Sequence, residues 1–167
     1  MFRVAKEFPI SVVSPSPWFP FQQLIRLWKP HFRPSAPAHE VQSGIDIFRP
    51  KFLSLPGLLK NLDGIFLAVC SYPRLRSLKR QGRLDLIDAH FAYPDGYAAV
   101  HLGRWLDVPV TVTLRGTENR HLRDPALAPL VQYTLTHANR VFSVAGALID
   151  LAKQFGLPAD KARVIGN

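Results

Sequence analysis

His90, Asp95, Arg115, Thr117 and Glu118 are residue types that can bind and polarise a polar ligand. An imidazole moves a proton or donates a hydrogen bond, a guanidinium holds an anion with a rigid fork of donors, and carboxylates orient hydroxyl groups. Their spacing says more than their types. His90 closes the run Leu84-Asp85-Leu86-Ile87-Asp88-Ala89-His90, apolar at alternate positions, and Phe91-Ala92-Tyr93-Pro94-Asp95-Gly96 then leads into a helix. Tyr97, Ala98, Ala99, Val100, Leu102, Trp105 and Leu106 give that helix an apolar face, and Pro109 marks its end. The β-branched run Val110-Thr111-Val112-Thr113-Leu114 stops abruptly at Arg115-Gly116-Thr117-Glu118. Strand, helix and strand in this order predict a right-handed crossover with parallel strands, so the turns after His90 and Leu114 share one edge of a sheet. Ligands of open α/β sheets bind at that edge. The competing account makes His90 a satisfied strand-end histidine and pairs Arg115 with Glu118.

Other elements must carry this unit. Phe2 to Phe8 reads as the tail of an amphipathic helix stopped by Pro9, and Ile10-Ser11-Val12-Val13-Ser14 as a short buried strand. A strand and helix are therefore expected to precede the chain. Pro15 to Phe21 predicts a proline- and aromatic-rich loop. Its Trp18 and Phe19 are either a stacking or lipid-facing platform or packing partners of Leu24 to Lys29. Pro30 to His39 predicts an extended loop, and Glu40-Val41-Gln42 with Ile45 to Arg49 a small hairpin about Ser43-Gly44. Leu58 to about Gln81 is the longest helical pattern, with a bend expected at Pro73. Asn119 to Arg123 reads as a polar, mobile loop. A helix is expected from Asp124, as cap, with Pro125 in its first turn, to about His137. Asn139 to Val144 predicts a strand, Ala145 to Phe155 a helix closed by Gly156, and Ala162 to Ile165 a strand after which further chain is expected. The pattern is α/β, with a mostly parallel sheet and a small β-hairpin insertion.

Composition bounds the function. The 167 residues are 47% hydrophobic and 20% charged, enough for one domain with a sizeable core. The single cysteine, Cys70, lies in an apolar run, so no internal disulfide forms and a reduced, cytoplasmic setting is the default. No apolar run reaches the roughly 20 residues that span a bilayer. A net charge of +9 favours polyanions, and Arg74, Arg76, Lys79, Arg80 and Arg83 are its densest part. No histidine and cysteine spacing suits a metal, no glycine-rich nucleotide loop is present, and Ser143 lacks the glycine-flanked elbow of a hydrolase nucleophile.

Leu86 to Gly96, followed by Val108-Pro109-Val110-Thr111-Val112-Thr113-Leu114-Arg115-Gly116-Thr117-Glu118, resembles the amino-terminal domain of family 4 retaining glycosyltransferases. Ala138 to Val144, the helix ending Phe155-Gly156-Leu157, and Lys161 to Asn167 are similar to the run before that family's interdomain linker. Pro17-Trp18-Phe19-Pro20 and Arg49-Pro50-Lys51-Phe52 to Pro56-Gly57 are similar to its bacterial branch that builds cell-surface and exported polysaccharides. The resemblance implies a Rossmann-like, three-layer α/β/α fold. Residues 1–167 would be a single partial domain, the acceptor side of an enzyme whose first βα unit and carboxyl-terminal donor domain lie outside the chain. It implies a glycosyltransferase of the hexosyltransferase type, with a nucleotide-sugar as co-substrate and no metal, and a fragment inactive by itself. Arg115 and His90 would be catalytic. Tyr93, Asp95, Gly96, Gly116, Thr117, Glu118 and Trp18 would bind substrate. The expected partners are a saccharide or lipid-linked acceptor, the donor mainly through the absent domain, and an anionic inner-membrane surface, with no nucleic acid. The alternative is a non-catalytic Rossmann-like module that binds polyanions, nucleic acid or anionic lipid, through its basic surface.

Overall fold

The chain packs as two units, residues 1–58 and 59–167. The computed structural model describes residues 7–29, 31–32 and 36–165. In the first unit every strand is short: β1 (Ser11–Val13), β2 (Ser16–Trp18), β3 (His39–Gln42), β4 (Ile45–Phe48) and β5 (Lys51–Leu53), with one helix, α1 (Gln22–Trp28). The hairpin about Ser43-Gly44 is present as β3 and β4, and β1 joins β4 in parallel, so the order is β1-β4-β3. Alternation buries Ile45 and Ile47, while His39 lies opposite Phe48 and stacks on it with ring centroids 4.6 Å apart. The loop expected over Pro15 to Phe21 instead contains β2, paired in parallel with β5. A three-residue strand bounded by prolines has too little alternation to announce itself. Trp18, at the end of β2, is exposed, and so are Leu24, Leu27 and Trp28 of α1. The helix expected over Phe2 to Phe8 falls mostly outside the described residues, as does part of the loop from Pro30.

The second unit is a Rossmann-like α/β arrangement. Strands β6 (Ile87–His90), β7 (Val110–Leu114), β8 (Arg140–Ser143) and β9 (Ala162–Val164) are all parallel and lie in sequence order. The helices are α2 (Asp63–Arg80), α3 (Tyr97–Leu106), α4 (Glu118–Leu122), α5 (Ala128–His137) and α6 (Gly146–Gln154). Val112, Thr113 and Leu114 are consecutive and all buried. Side chains alternate across a strand, so both faces of the sheet are covered, as a three-layer fold requires. The core joins Val110, Val112, Leu114 and Val141 to Val100, Val131, Leu135 and Ile149 of the helices. Full burial of each such side chain contributes about 1.5–3 kcal/mol.

Several boundaries differ from expectation for local reasons. The first strand begins at Ile87, and Leu86 is exposed. Helix α2 starts at Asp63 after a 3-10 turn, Lys60–Leu62, and runs on through Pro73. Cys70 is half-buried rather than sealed in the core. The segment expected as a mobile loop is α4, because Glu118 and Leu122, one turn apart, are both buried. Asp124 caps a turn, its Oδ1 accepting from the Ala126 N–H at 2.9 Å, and α5 begins later with Pro129 in its first turn.

Candidate functional site

Parallel pairing places His90 beside Thr113, so both strand-end turns leave the same edge of the second unit's sheet. Leu114 is fully buried and anchors β7, whereas the next three residues, Arg115, Gly116 and Thr117, are exposed. The Arg115 Nε–H donates to His90 Nδ1 at 3.3 Å. That bond leaves Nδ1 without a proton and assigns the proton to Nε2. Nε2 faces Asp88, whose Oδ2 is 3.9 Å away, and Asp88 Oδ1 accepts from the Thr111 hydroxyl at 2.6 Å. A chain of polar groups, Thr111, Asp88, His90 and Arg115, therefore runs along β6 and β7 and ends at the rim. Among the described residues no carboxylate pairs with the Arg115 guanidinium. The expected alternative pairing of Arg115 with Glu118 is absent.

Glu118 is instead almost fully buried, at 2% exposure. Its Oε1 accepts from the Ala92 N–H at 3.1 Å and its Oε2 from the Gly116 N–H at 2.8 Å, one donor from each turn. Gly116 has φ of +112° with open space around it, a conformation that only glycine adopts without strain. Phe91 also has positive φ, +71°, although it carries a large side chain. Its N–H donates to the Thr113 carbonyl at 2.9 Å, and its own carbonyl accepts from Gly96 N–H at 3.0 Å. Such backbone costs on the order of 1–3 kcal/mol and persists where the surroundings fix it.

The rest of the first turn faces inward. Tyr93 is buried; its hydroxyl donates to the Lys60 carbonyl and accepts from the Gly64 N–H at 3.2 Å. Burial pushes the phenol up to about 12. Gly96 is packed so closely that an added Cβ would meet the Phe91 oxygen and Thr134 Cγ2 at 2.8 Å each. Tyr93, Gly96 and Glu118 thus form the wall behind the rim. Asp95 is half-buried, and burial raises its carboxyl above the usual range, with nearby His90 acting in the opposite direction. Trp18 belongs to the first unit. Asp88 and Thr111 were not expected at the site. The signal was available, since Asp88 lies two residues before His90 and period-2 alternation puts both on one face.

Among the described residues no group of three or more histidine, cysteine, aspartate or glutamate side chains is placed to hold a metal ion. A groove of about 400 Å³ lies away from the rim, beside the start of β7, with Arg104, Asp107, His137 and Asn139 on its walls. The polar convergence lies on the open carboxyl edge.

The parallel α/β unit defines a Rossmann-like domain, with an arginine and a histidine at its strand ends. Residues 25–167 match Glycosyltransferase Family 4, and the chain belongs to that family. It is 32% identical over 114 residues to a Bacillus subtilis (strain 168) protein named as a teichuronic acid biosynthesis glycosyltransferase, TuaC, covering 65% of this chain and 28% of that protein. Among solved structures it is similar to a UDP-N-acetylglucosamine 2-epimerase, with a TM-score of 0.48 and 17% identity over 96% of this chain and 49% of the other. A Neisseria meningitidis UDP-GlcNAc 2-epimerase bound to UDP-GlcNAc gives a TM-score of 0.45 and 12% identity over 95% of this chain and 46% of that one. The chain spans 28% of the length of TuaC and about half of these structures.

Proposed function

We propose that the intact protein transfers a sugar from a nucleotide-sugar donor to a saccharide or lipid-linked acceptor, with retention and without a divalent metal. The setting is cell-surface or exported polysaccharide synthesis, for which the name of its TuaC relative is the support. This chain supplies the acceptor side of the cleft. The observation that carries the proposal is the Arg115 to His90 contact of 3.3 Å on an exposed rim, in a chain of this family. The remaining guanidinium donors of Arg115 stabilise negative charge that develops on the leaving phosphate. His90, met by Arg115 at Nδ1 and facing Asp88 at Nε2, presents its exposed ring edge to the acceptor. Gly116, Thr117 and Asp95 line the same rim, and Tyr93, Gly96 and Glu118 act by shaping it. The exposed indole of Trp18 offers a separate stacking surface on the first unit.

The full-length protein, incubated with labelled nucleotide-sugars and a membrane-lipid or oligosaccharide acceptor, is expected to transfer sugar equally with and without chelator. Absence of transfer from every donor, in a protein shown to be folded, overturns the proposal.

A second observation supports attachment to an anionic membrane face. Helices α2, α3 and α5 pack side by side. From Gly64 onward in α2, and throughout α3 and α5, they contain no Asp or Glu, while Arg74, Arg76, Lys79, Arg80 and Arg104 are present and Val69 and Trp105 are exposed. A basic side chain near an anionic lipid surface contributes on the order of 1 kcal/mol. No described helix is long and apolar enough to cross a membrane. Stronger binding to anionic than to neutral vesicles is expected. Equal binding to both argues against attachment, and salt-sensitive binding to nucleic acid favours the polyanion-binding alternative.

A further inference from the structure

We infer that Glu118 is the positioning residue that sets the separation of His90 and Arg115, an inference that rests on the sugar-transfer reading above. The contact between those two side chains cannot set its own geometry. It is long, at 3.3 Å, and exposed. A hydrogen bond of this kind contributes no more than the rotamer entropy lost in ordering an arginine. The backbones beneath must hold the pair, and Glu118 joins them. Ala92 is two residues past His90, Gly116 one residue past Arg115, and each gives its N–H to a different oxygen of the same carboxylate at 3.1 and 2.8 Å.

The choice of a carboxylate follows from this arrangement. Burying a charge without a cation is costly unless it is well hydrogen-bonded, and among the described residues no Lys or Arg pairs with Glu118. Two charge-assisted bonds to backbone donors offset that cost. An amide of the same size has one acceptor oxygen, so its NH2 would confront either the Ala92 or the Gly116 N–H. One turn would then be released while the other stayed fixed. The consequence falls on the relative placement of imidazole and guanidinium, where a shift of about 1 Å can cost on the order of a hundredfold in rate.

The test uses full-length Glu118→Gln, with Glu118→Asp, which keeps the charge and shortens the reach, as the second variant should the first fail to fold. Two readouts are needed. One is the nitrogen NMR spectrum of 15N-labelled histidine, assigned by Arg115→Ala and His90→Gln. It is expected to show His90 protonated on Nε2 in the parent and a tautomer mixture in the variant. The other is transfer kinetics, where kcat is expected to fall about tenfold to a hundredfold with the donor KM within about twofold, because only placement is lost. An unchanged His90 spectrum in a folded variant overturns the inference, as does an unchanged kcat. If the parent transfers no sugar, the functional reading fails, and the imidazole spectrum alone still decides the role of Glu118.

Discussion

The two turns that close β6 and β7 have opposite characters, although they meet at one edge. The β6 turn is built into the protein: Ala92, Tyr93 and Gly96 are buried, and Tyr93 reaches back to Lys60 and Gly64. The β7 turn is open: Arg115, Gly116 and Thr117 are exposed, and only Glu118 turns inward. One turn supplies a fixed reference, and the other presents groups to solvent. A site that must hold charge at a defined place needs both, since an exposed arginine on an unanchored loop would spread over many positions. On the proposed function, substitutions in the first turn act mainly on stability, and substitution of the exposed Arg115 in the second acts mainly on transfer.

The largest effect is expected from Gly96→Ala. Its new methyl would stand 2.8 Å from both the Phe91 carbonyl oxygen and Thr134 Cγ2, one of them backbone that cannot swing aside. Overpacking of this kind costs about 3 kcal/mol, read from the midpoint of urea unfolding. A loss below about 0.5 kcal/mol would mean that the first turn yields, and the contrast would collapse. Tyr93→Phe follows. Deleting the hydroxyl removes the acceptor of the Gly64 N–H, while the Lys60 carbonyl keeps the Asp63 N–H as a donor, at a cost of about 1–2 kcal/mol.

The same contrast explains what was legible in the sequence. The βαβ unit from Ile87 to Leu114 showed itself through alternation, a helical apolar face and Pro109, and parallel pairing followed from the crossover. The convergence of His90 and Arg115 on one edge is therefore readable in the sequence alone. The inward turn was not. A glutamate reads as solvent-facing because burying a charge is costly, and only tertiary structure reveals that two backbone N–H groups await it. The helix α4 was hidden for the same reason, since its sequence Glu118-Asn119-Arg120-His121-Leu122 is polar apart from Leu122. In the first unit, β2 and β5 are three residues each, shorter than any window in which alternation can be judged.

Smaller stability effects are expected in the open turn. Gly116→Ala meets no neighbour, but φ of +112° strains any residue with a Cβ, so a loss of about 1–2 kcal/mol is predicted, less than at Gly96. Arg115→Ala is expected to leave the unfolding midpoint within about 0.5 kcal/mol of the parent while lowering sugar transfer at least tenfold, on the order of 1.4 kcal/mol in the barrier. Parental transfer by this variant would remove Arg115 from the chemistry. A large loss of stability would make the second turn as structural as the first.

The finest test is Asp95, the ionisable residue of the closed turn that lies close to His90. Burial raises its carboxyl above its ordinary value of 3.8 in the folded protein. Between that value and the raised one the native state holds more proton than the unfolded state, so stability declines as pH rises through the window. Above the window the buried charge is a constant penalty, and below it the penalty vanishes. Asp95→Asn removes the charge, so the variant is expected to be slightly more stable than the parent at pH 7 and equal to it below the ordinary carboxylate range. The histidines His101 and His121, both lowered chiefly by burial, weaken both proteins alike as pH falls through the range near 6.5, so they cancel in the difference. Thermal melts of the two proteins from pH 3 to pH 8 measure that difference directly. A flat difference would show that burial does not raise the Asp95 carboxyl.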